Sequence, residues 1–218
     1  MIEIISHCFG PRYASLLNYH LSSLVLRESK MITMTVIYIA TDDATKAVLE
    51  YFKSISKPWI KWNFIPMVES LVYQRPIGRN IAAKLTKADI VWFADSDHAF
   101  GDGCLDALYQ LPDGDAVYHP DMLMACNRGA FAGMLAAVKT PCIIDVDRSK
   151  FRPITMWKAV GGVQIVSGDT ARKFGYLPDS ETWQKPLDKY QRDDGSAFWR
   201  EQFKQLGKLS IPNVYRIQ

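Results

Sequence analysis

The sequence predicts an α/β fold with a mostly parallel central sheet and helices on both of its faces. Its front half alternates short β-branched runs with segments of helical periodicity, which is typical of a doubly wound sheet rather than of a helical bundle or a β-sandwich. The run 90–94 is apolar at every position, as expected of a parallel strand that is covered on both sides. The 218 residues contain no internal repeat and no linker, so we expect one domain with two functional halves that meet near residue 100.

Turn residues and hydrophobic spacing give the order of the elements. Gly10-Pro11 separates the first strand from a helix whose apolar residues recur at helical spacing, and proline suits the first turn of a helix. Strands are predicted at 2–6, 33–40, 59–67 and 90–94, and a helix follows each of the first three. Beyond residue 100 the pattern indicates a short helix near 104–111, extended segments near 115–119, 151–158 and 162–166, an apolar segment at 129–138 and a helix at 194–206.

Composition and charge exclude several classes of protein. Hydrophobic residues make up 48% and charged residues 22%, which is ordinary for a globular chain and argues against disorder. A net charge of +3 is too small for wholesale binding of nucleic acid. The four cysteines have neither zinc-site nor disulfide-framework spacing, so we expect reduced thiols. The opening MIEIISH is not a signal peptide and no run is long and apolar enough for a membrane span, so we expect a soluble, cytoplasmic protein.

Ligands of open α/β sheets bind beyond the carboxyl ends of the strands. Three segments of this sequence follow predicted strands and are therefore candidates for a site: His7 to Gly10, Thr41 to Asp43, and Asp95 to His98.

The segment Asp95-Ser96-Asp97 carries the strongest chemical signal. In extended geometry the two carboxylates share a face, and at about 5 Å they repel by about 3 kcal/mol at an effective dielectric near 20. A divalent cation between them relieves that repulsion, and oxygen ligands favour Mg²⁺ or Mn²⁺. The alternative is a polar loop that caps the next helix.

Basic residues stand at the front of the third predicted helix. Arg75 and Arg79 share a helical face, and a basic fork at a helix N-terminus, with Asn80 beside it, suits a phosphate group. The alternative is a solvated helix face.

Two further acidic pairs and a glycine pair have both functional and structural interpretations. Asp42 or Asp43 could accept from a ribose hydroxyl or a base N–H, or could cap the second helix. Gly161-Gly162 allows close approach of a ligand or makes a turn. Asp193-Asp194 could cap the last helix or supply a general base for a hydroxyl nucleophile.

Together, Arg79-Asn80-Ile81-Ala82 and the segment from Ala88 to Asp97 resemble the signature of family 2 glycosyltransferases, which have the GT-A fold. Gly161-Gly162 is similar to the acceptor-side glycine motif of that family, and Asp193-Asp194 followed by Arg200 resembles its ED…R segment. Two departures are that Ser6-His7-Cys8-Phe9 stands where the family has a Pro-Thr-Tyr-Asn-like turn, and that Asp193 replaces glutamate.

The resemblance implies a metal-dependent, inverting transferase that moves a sugar from a nucleotide-diphospho-sugar to a hydroxyl of a glycan, lipid-linked or small-molecule acceptor. The departure after the first strand means that the resemblance does not identify the donor, for which we expect a UDP-sugar. The resemblance divides the chain into a donor half, about 1–100, and an acceptor half, about 101–218. Mn²⁺ or Mg²⁺ would be held by Asp95 and Asp97, and Asp194, with Asp193 beside it, would be the base. The donor contacts would be His7, Asp42, Asp43, Arg75, Arg79, Asn80, Asp95 and Ser96, and the acceptor contacts Gly161, Gly162 and Trp157. Trp183 is a second tryptophan that could stack on an acceptor sugar.

Two alternatives stay open at this point. A nucleotidyltransferase uses a similar sheet, a metal and a basic phosphate cradle, although it normally has a glycine-rich loop after the first strand, where only Gly10-Pro11-Arg12 stands here. A silent relative of the transferases would bind a sugar or a partner protein without turnover, but the acidic pairs are intact.

Overall fold

The computed structural model describes residues 1–112, 114–176 and 206–218. The strands are β1 (Ile2–Cys8), β2 (Ile32–Ile39), β3 (Ile60–Met67), β4 (Ile90–Ala94), β5 (His98–Phe100), β6 (Val117–Pro120), β7 (Met122–Cys126), β8 (Phe151–Thr155), β9 (Val163–Ser167), β10 (Leu206–Leu209) and β11 (Val214–Arg216). The α-helices are α1 (Pro11–Leu26), α2 (Asp43–Lys53), α3 (Glu69–Val72), α4 (Arg75–Leu85), α5 (Arg128–Ala137) and α6 (Gly168–Phe174).

Seven strands form the main sheet in the order β10-β6-β9-β4-β1-β2-β3. β1 pairs in parallel with β2 and β4, and β2 pairs in parallel with β3. β9 runs antiparallel to β4 and β6. The predicted fold class, a mostly parallel sheet with helices, is therefore confirmed. β1 and β4 lie side by side at its centre, so the segments that follow them meet at one edge.

The sheet is covered on both faces, as the apolar strands require. In β1, Ile4 packs into the core that contains Leu17 and Leu21 of α1, whereas Ile5 packs into the opposite core with Ala83 of α4. Successive side chains of a strand point to opposite faces, so a strand buried on both faces has no polar alternation.

Local signals place the first helices correctly. Pro11 occupies the first turn of α1, and Gly10 precedes it with φ 117°, a backbone conformation that glycine adopts without strain. α2 begins after Asp42, whose side chain accepts a hydrogen bond from the main-chain N–H of Ala44.

A second sheet, in the order β5-β11-β7-β8, was not predicted. Of its strands the sequence predicts only β8, because strands of three to five residues carry almost no periodicity of their own. The predicted helix at 194–206 lies outside the described residues except for Leu206, which begins β10 rather than ending a helix. The apolar segment at 129–138 corresponds to α5.

All four cysteines are free thiols, as expected from their spacing. Among the described helices, none combines the length and the apolar character that crossing a membrane requires.

Candidate functional site

A cleft of about 250 Å³ opens at the carboxyl ends of β1 and β4. Its described wall is formed by the end of β1 and the start of α1, by the first residue of α4, by the segment after β4, and by β11 with the residues that follow it: His7, Phe9, Tyr13, Arg75, Asp95, Ser96, Asp97, Arg216 and Gln218. Four predicted donor residues, His7, Arg75, Asp95 and Ser96, and the second predicted metal ligand, Asp97, thus lie around one cavity.

Asp95 is held by two arginines of α4. Its Oδ1 accepts from Nη1 of Arg75 at 2.5 Å and from Nη2 of Arg79 at 2.9 Å. Burial raises the pKa of the Asp95 carboxyl, but the positive charges of Arg75 and Arg79 outweigh it and hold that pKa well below its usual range. Asp95 is therefore a carboxylate at any pH near neutrality.

Gly162 lies directly behind this carboxylate. A Cβ at Gly162 would come within 2.5 Å of Oδ2 of Asp95 and 3.0 Å of Cε1 of His98. Of the two interpretations of the glycine pair, close approach is thus realised at Gly162, although the group that approaches is Asp95 of the protein itself.

Asp97 has a different set of neighbours. Nδ1 of His98 lies 2.9 Å from its Oδ1, and Nε of Arg216 lies 3.6 Å from its Oδ2. Burial lowers the pKa of His98, but the negative charges of Asp97 and Asp95 outweigh burial and raise that pKa above its usual value. The protein therefore places its own cations beside both carboxylates, which relieves much of the repulsion expected from the sequence.

His7 lines the cleft with its ring stacked on Phe9, the two ring centroids being 5.7 Å apart. The side chain is buried, and within the described residues neither ring nitrogen has a hydrogen-bond partner. Burial, followed by the charges of Arg79 and Arg75, lowers the pKa of His7 well below its usual value. His7 thus presents a neutral imidazole at neutral pH.

Arg79 is buried and makes hydrogen bonds within the protein, rather than forming an exposed phosphate-binding pair with Arg75. Its side chain is 0% exposed. Nη1 donates to the main-chain oxygen of Gly161 at 2.6 Å and to the hydroxyl of Tyr176 at 2.9 Å. Nη2 donates to the main-chain oxygen of Ala94 at 3.1 Å as well as to Asp95. Both Nη groups of Arg79 are therefore committed to the protein, and Arg79 does not line the cleft.

Asn80 is likewise structural. Its Oδ1 accepts from the main-chain N–H of Tyr176 at 2.9 Å, and the side chain lies against Gly175, so it is turned toward the loop after α6 and does not line the cleft.

The acidic pair after β2 caps a helix. Asp42 is buried and accepts from the main-chain N–H of Ala44 at 3.2 Å and from the hydroxyl of Thr45 at 2.5 Å. Asp43 is 91% exposed and pairs with Lys46 at 2.6 Å. Neither lines the cleft. Of the two interpretations of this pair, helix capping is the one that the described contacts of Asp42 show.

The acceptor-side residues are only partly described. Gly161 accepts from Arg79, and Trp157 lies four residues before it with 79% of its surface exposed and Nζ of Lys208 4.9 Å from the ring centroid. Trp157 does not line the cleft. Asp193, Asp194 and Trp183 lie outside the described residues.

The chemistry of the cleft fits a hard divalent cation. Oδ1 of Asp97 is buried, and its described neighbour is Nδ1 of His98 at 2.9 Å, a nitrogen that also lies 3.2 Å from the main-chain oxygen of Asp95. Within 1–112, 114–176 and 206–218 no group of three His, Cys, Asp or Glu side chains is arranged to hold a metal. One or two carboxylates completed by phosphate oxygens is a common way of holding Mg²⁺.

Four further residues that line the cleft are not among the predicted site residues: Phe9, Tyr13, Arg216 and Gln218. Phe9 belongs to the candidate segment His7 to Gly10, so its position at the end of the first strand is a signal for it. No local signal marks Arg216, since only the pairing of β11 with β5 brings it opposite His98.

No family model matches this sequence, and no curated protein matches it. Residues 1–349 of S. aureus TarS share the fold with a TM-score of 0.58 at 15% identity, over 99% of this chain and 60% of that one. The same part of TarS in complex with UDP gives 0.58 at 13% identity, over 98% and 59%. The bifunctional glycosyltransferase WbbM gives 0.55 at 14% identity, over 95% and 38%. The chain has the GT-A fold and spans three fifths or less of the length of these structures.

Proposed function

We propose that this chain is a glycosyltransferase that moves a sugar from a nucleotide-diphospho-sugar to an acceptor hydroxyl with inversion at the anomeric carbon. The observation that carries the proposal is the cleft at the carboxyl ends of β1 and β4, where two carboxylates, Asp95 and Asp97, stand beside the cations of Arg75 and Arg216. The likeness of the fold to WbbM, a bifunctional glycosyltransferase, supports it. A UDP-sugar is the proposed donor, since the similar part of TarS was solved with UDP.

The leaving group of such a reaction is a nucleoside diphosphate, and its developing negative charge needs cations that are already in place. Arg75 lies at the wall of the cleft and can face the diphosphate while it also holds Asp95. Asp97 and Asp95, the two carboxylates of the described cleft wall, are the proposed ligands of Mn²⁺ or Mg²⁺. When bound, that ion would act as a Lewis acid toward the phosphate oxygens.

The acceptor hydroxyl is a weak nucleophile and needs a general base. We assign this role to Asp194, with Asp193 as its neighbour, on the resemblance to the ED…R segment alone. Gly161, Gly162 and the exposed Trp157 are the proposed acceptor side, because the loop they belong to lies against the cleft through Gly162 and Asp95. The acceptor is a glycan, a lipid-linked saccharide or a small molecule.

A thermal-shift panel of UDP, GDP, CMP and TDP, each with Mn²⁺ or with EDTA, tests donor class and metal together. We expect a stabilising shift with UDP that requires Mn²⁺ and that is lost in Asp97→Asn. Asp43→Asn, an exposed aspartate outside the cleft, is the matched control and should behave as wild type.

A shift with UDP in EDTA that equals the shift in Mn²⁺ would remove the metal from the proposal. The absence of any shift with all four nucleotides would remove the donor class. Release of pyrophosphate from a nucleoside triphosphate would favour the nucleotidyltransferase instead.

A further inference from the structure

Arg216 enters the cleft from the far end of the chain on a rigid segment. β11 pairs antiparallel with β5, which places Arg216 opposite His98, and the main-chain N–H of Ile217 donates to the main-chain oxygen of Asp97 at 2.8 Å. The residues on either side of Arg216 are buried: Tyr215, whose ring lies edge-on to Phe151 at 5.1 Å, and Ile217. The backbone that carries Arg216 is therefore fixed relative to the acidic segment.

The guanidinium itself is largely uncommitted. Its Nε donates to the main-chain oxygen of Gln218 at 2.7 Å, which orients the group. Its distance of 3.6 Å to Oδ2 of Asp97 is too long for a hydrogen bond. Within the described part of the chain, the Nη1 and Nη2 groups have no hydrogen-bond partner, and the side chain is 45% exposed.

Arg79 and Arg216 differ in how much of their hydrogen-bonding capacity the protein itself uses. Arg79 donates from both Nη groups to the protein and is fully buried. Of the two arginines that the sequence predicts for phosphate binding, this one therefore stabilises the fold. Arg75 and Arg216 are the two arginines that line the cleft along its described wall. An anion bound there would meet one guanidinium from α4 and one from β11.

We propose that Arg216 is a binding residue for the diphosphate of the donor, forming a two-point clamp with Arg75 on the phosphate oxygens. The inference rests on the proposed function, which supplies the nucleoside diphosphate, and adds to it the residue that recognises the second phosphate. A guanidinium with two free, parallel N–H donors matches two oxygens of a phosphate, and an ammonium group does not.

Titration calorimetry with UDP and UMP on wild type, Arg216→Gln, Arg216→Lys and Arg148→Gln tests the clamp. Arg148 is the matched control, since it is 49% exposed against 45% for Arg216 and pairs with Asp102 outside the cleft. Arg216→Gln should weaken UDP binding about 10- to 100-fold, because that is the contribution of hydrogen bonds between charged groups. It should weaken UMP binding by less than about 3-fold, because UMP lacks the second phosphate. Arg216→Lys should recover part of the loss, and Arg148→Gln should bind as wild type.

Equal losses for UDP and UMP, or no loss for either, would overturn the clamp while leaving the donor class intact. If wild type binds neither UDP nor any other nucleoside diphosphate of the panel, the proposed function fails and Arg216 has no role to explain. Unchanged urea denaturation of Arg216→Gln would show that its effect on UDP is not a folding defect. If Arg216→Gln does not fold, Arg216→Lys carries the test, and UDP binding by that variant equal to wild type would overturn the clamp.

Discussion

Gly162 touches the Asp95 carboxylate so closely that no side chain fits between them. A methyl group at Gly162 would lie 2.5 Å from Oδ2 and 2.8 Å from Cγ of Asp95, well inside van der Waals contact. Asp95 cannot simply rotate away, because Arg75 and Arg79 hold its other oxygen. The loop before β9 thus sets the position of an acidic residue that follows β4.

Gly162→Ala should therefore displace Asp95 and weaken metal-dependent UDP binding by about 10-fold or more, at the level of one lost charged hydrogen bond. Gly161→Ala is the matched neighbour, since a Cβ there would have no contact closer than 3.8 Å. Titration calorimetry in the presence of Mn²⁺ checks both variants. Equal binding by the two alanine variants would contradict the role of this contact.

Replacing Arg79 should lower the free energy of unfolding, because its side chain contacts the protein and does not line the cleft. Arg79→Met removes four hydrogen bonds and leaves Asp95 with one arginine, so we expect a loss of about 3–5 kcal/mol in the free energy of unfolding, as for other broken buried ion pairs. Urea denaturation measures this. Arg148→Met, on an exposed arginine, should change stability by less than about 1 kcal/mol. Comparable losses in the two variants would show that the buried hydrogen bonds of Arg79 do not stabilise the fold.

Asp42→Ala should lower the free energy of unfolding by about 1 kcal/mol, because α2 loses its N-cap. Asp42→Asn keeps an acceptor at the same place and should restore most of the loss. UDP binding should not change in either variant, as Asp42 lies outside the cleft wall. A fall in UDP affinity without a change in the free energy of unfolding would indicate that Asp42 contacts the donor.

Acidification should destabilise the protein through its buried histidines. Burial lowers the pKa of His20 from 6.5 to about 4, so between these values the unfolded chain binds a proton that the folded chain does not. Stability then falls as the pH drops from about 6.5 to about 4, by up to about 3 kcal/mol for this residue. His7, whose pKa is also lowered, acts in the same direction.

His98 acts in the opposite direction, because its raised pKa makes the folded chain bind the extra proton above pH 6.5, and that contribution is lost as the pH rises further. Urea denaturation between pH 4.5 and 8 should give a maximum near neutrality. In His20→Gln the acidic side should be shallower. An unchanged acid slope in that variant would exclude His20 as its source.

The proposed base is tested by Asp194→Asn, which should abolish sugar transfer and leave UDP binding unchanged. Asp193→Asn is the comparison, since the two residues are adjacent and the resemblance assigns the second. Product formation and calorimetry with UDP separate the roles. Weakened UDP binding in Asp194→Asn would reassign this residue to the donor.

The sequence by itself determined those features that depend on residues close together in the chain. The alternation of elements, the start of α1 at Pro11 and the strand before Asp95 follow from hydrophobic period and turn chemistry within a few residues. The presence of Asp95, Ser96 and Asp97 at the central edge of the sheet follows as well, because parallel strands bring their carboxyl ends together.

Only the tertiary structure decided which polar groups meet. Arg79 and Arg75 are equivalent in sequence, but a partner 82 residues away, Gly161, accepts from Arg79 and draws it into the interior. Arg216 reaches the cleft through a three-residue strand whose partner, β5, lies more than a hundred residues earlier in the chain. Such contacts depend on how strands far apart in the chain pair with each other. A short strand has too few residues for its sequence to indicate which strand it pairs with.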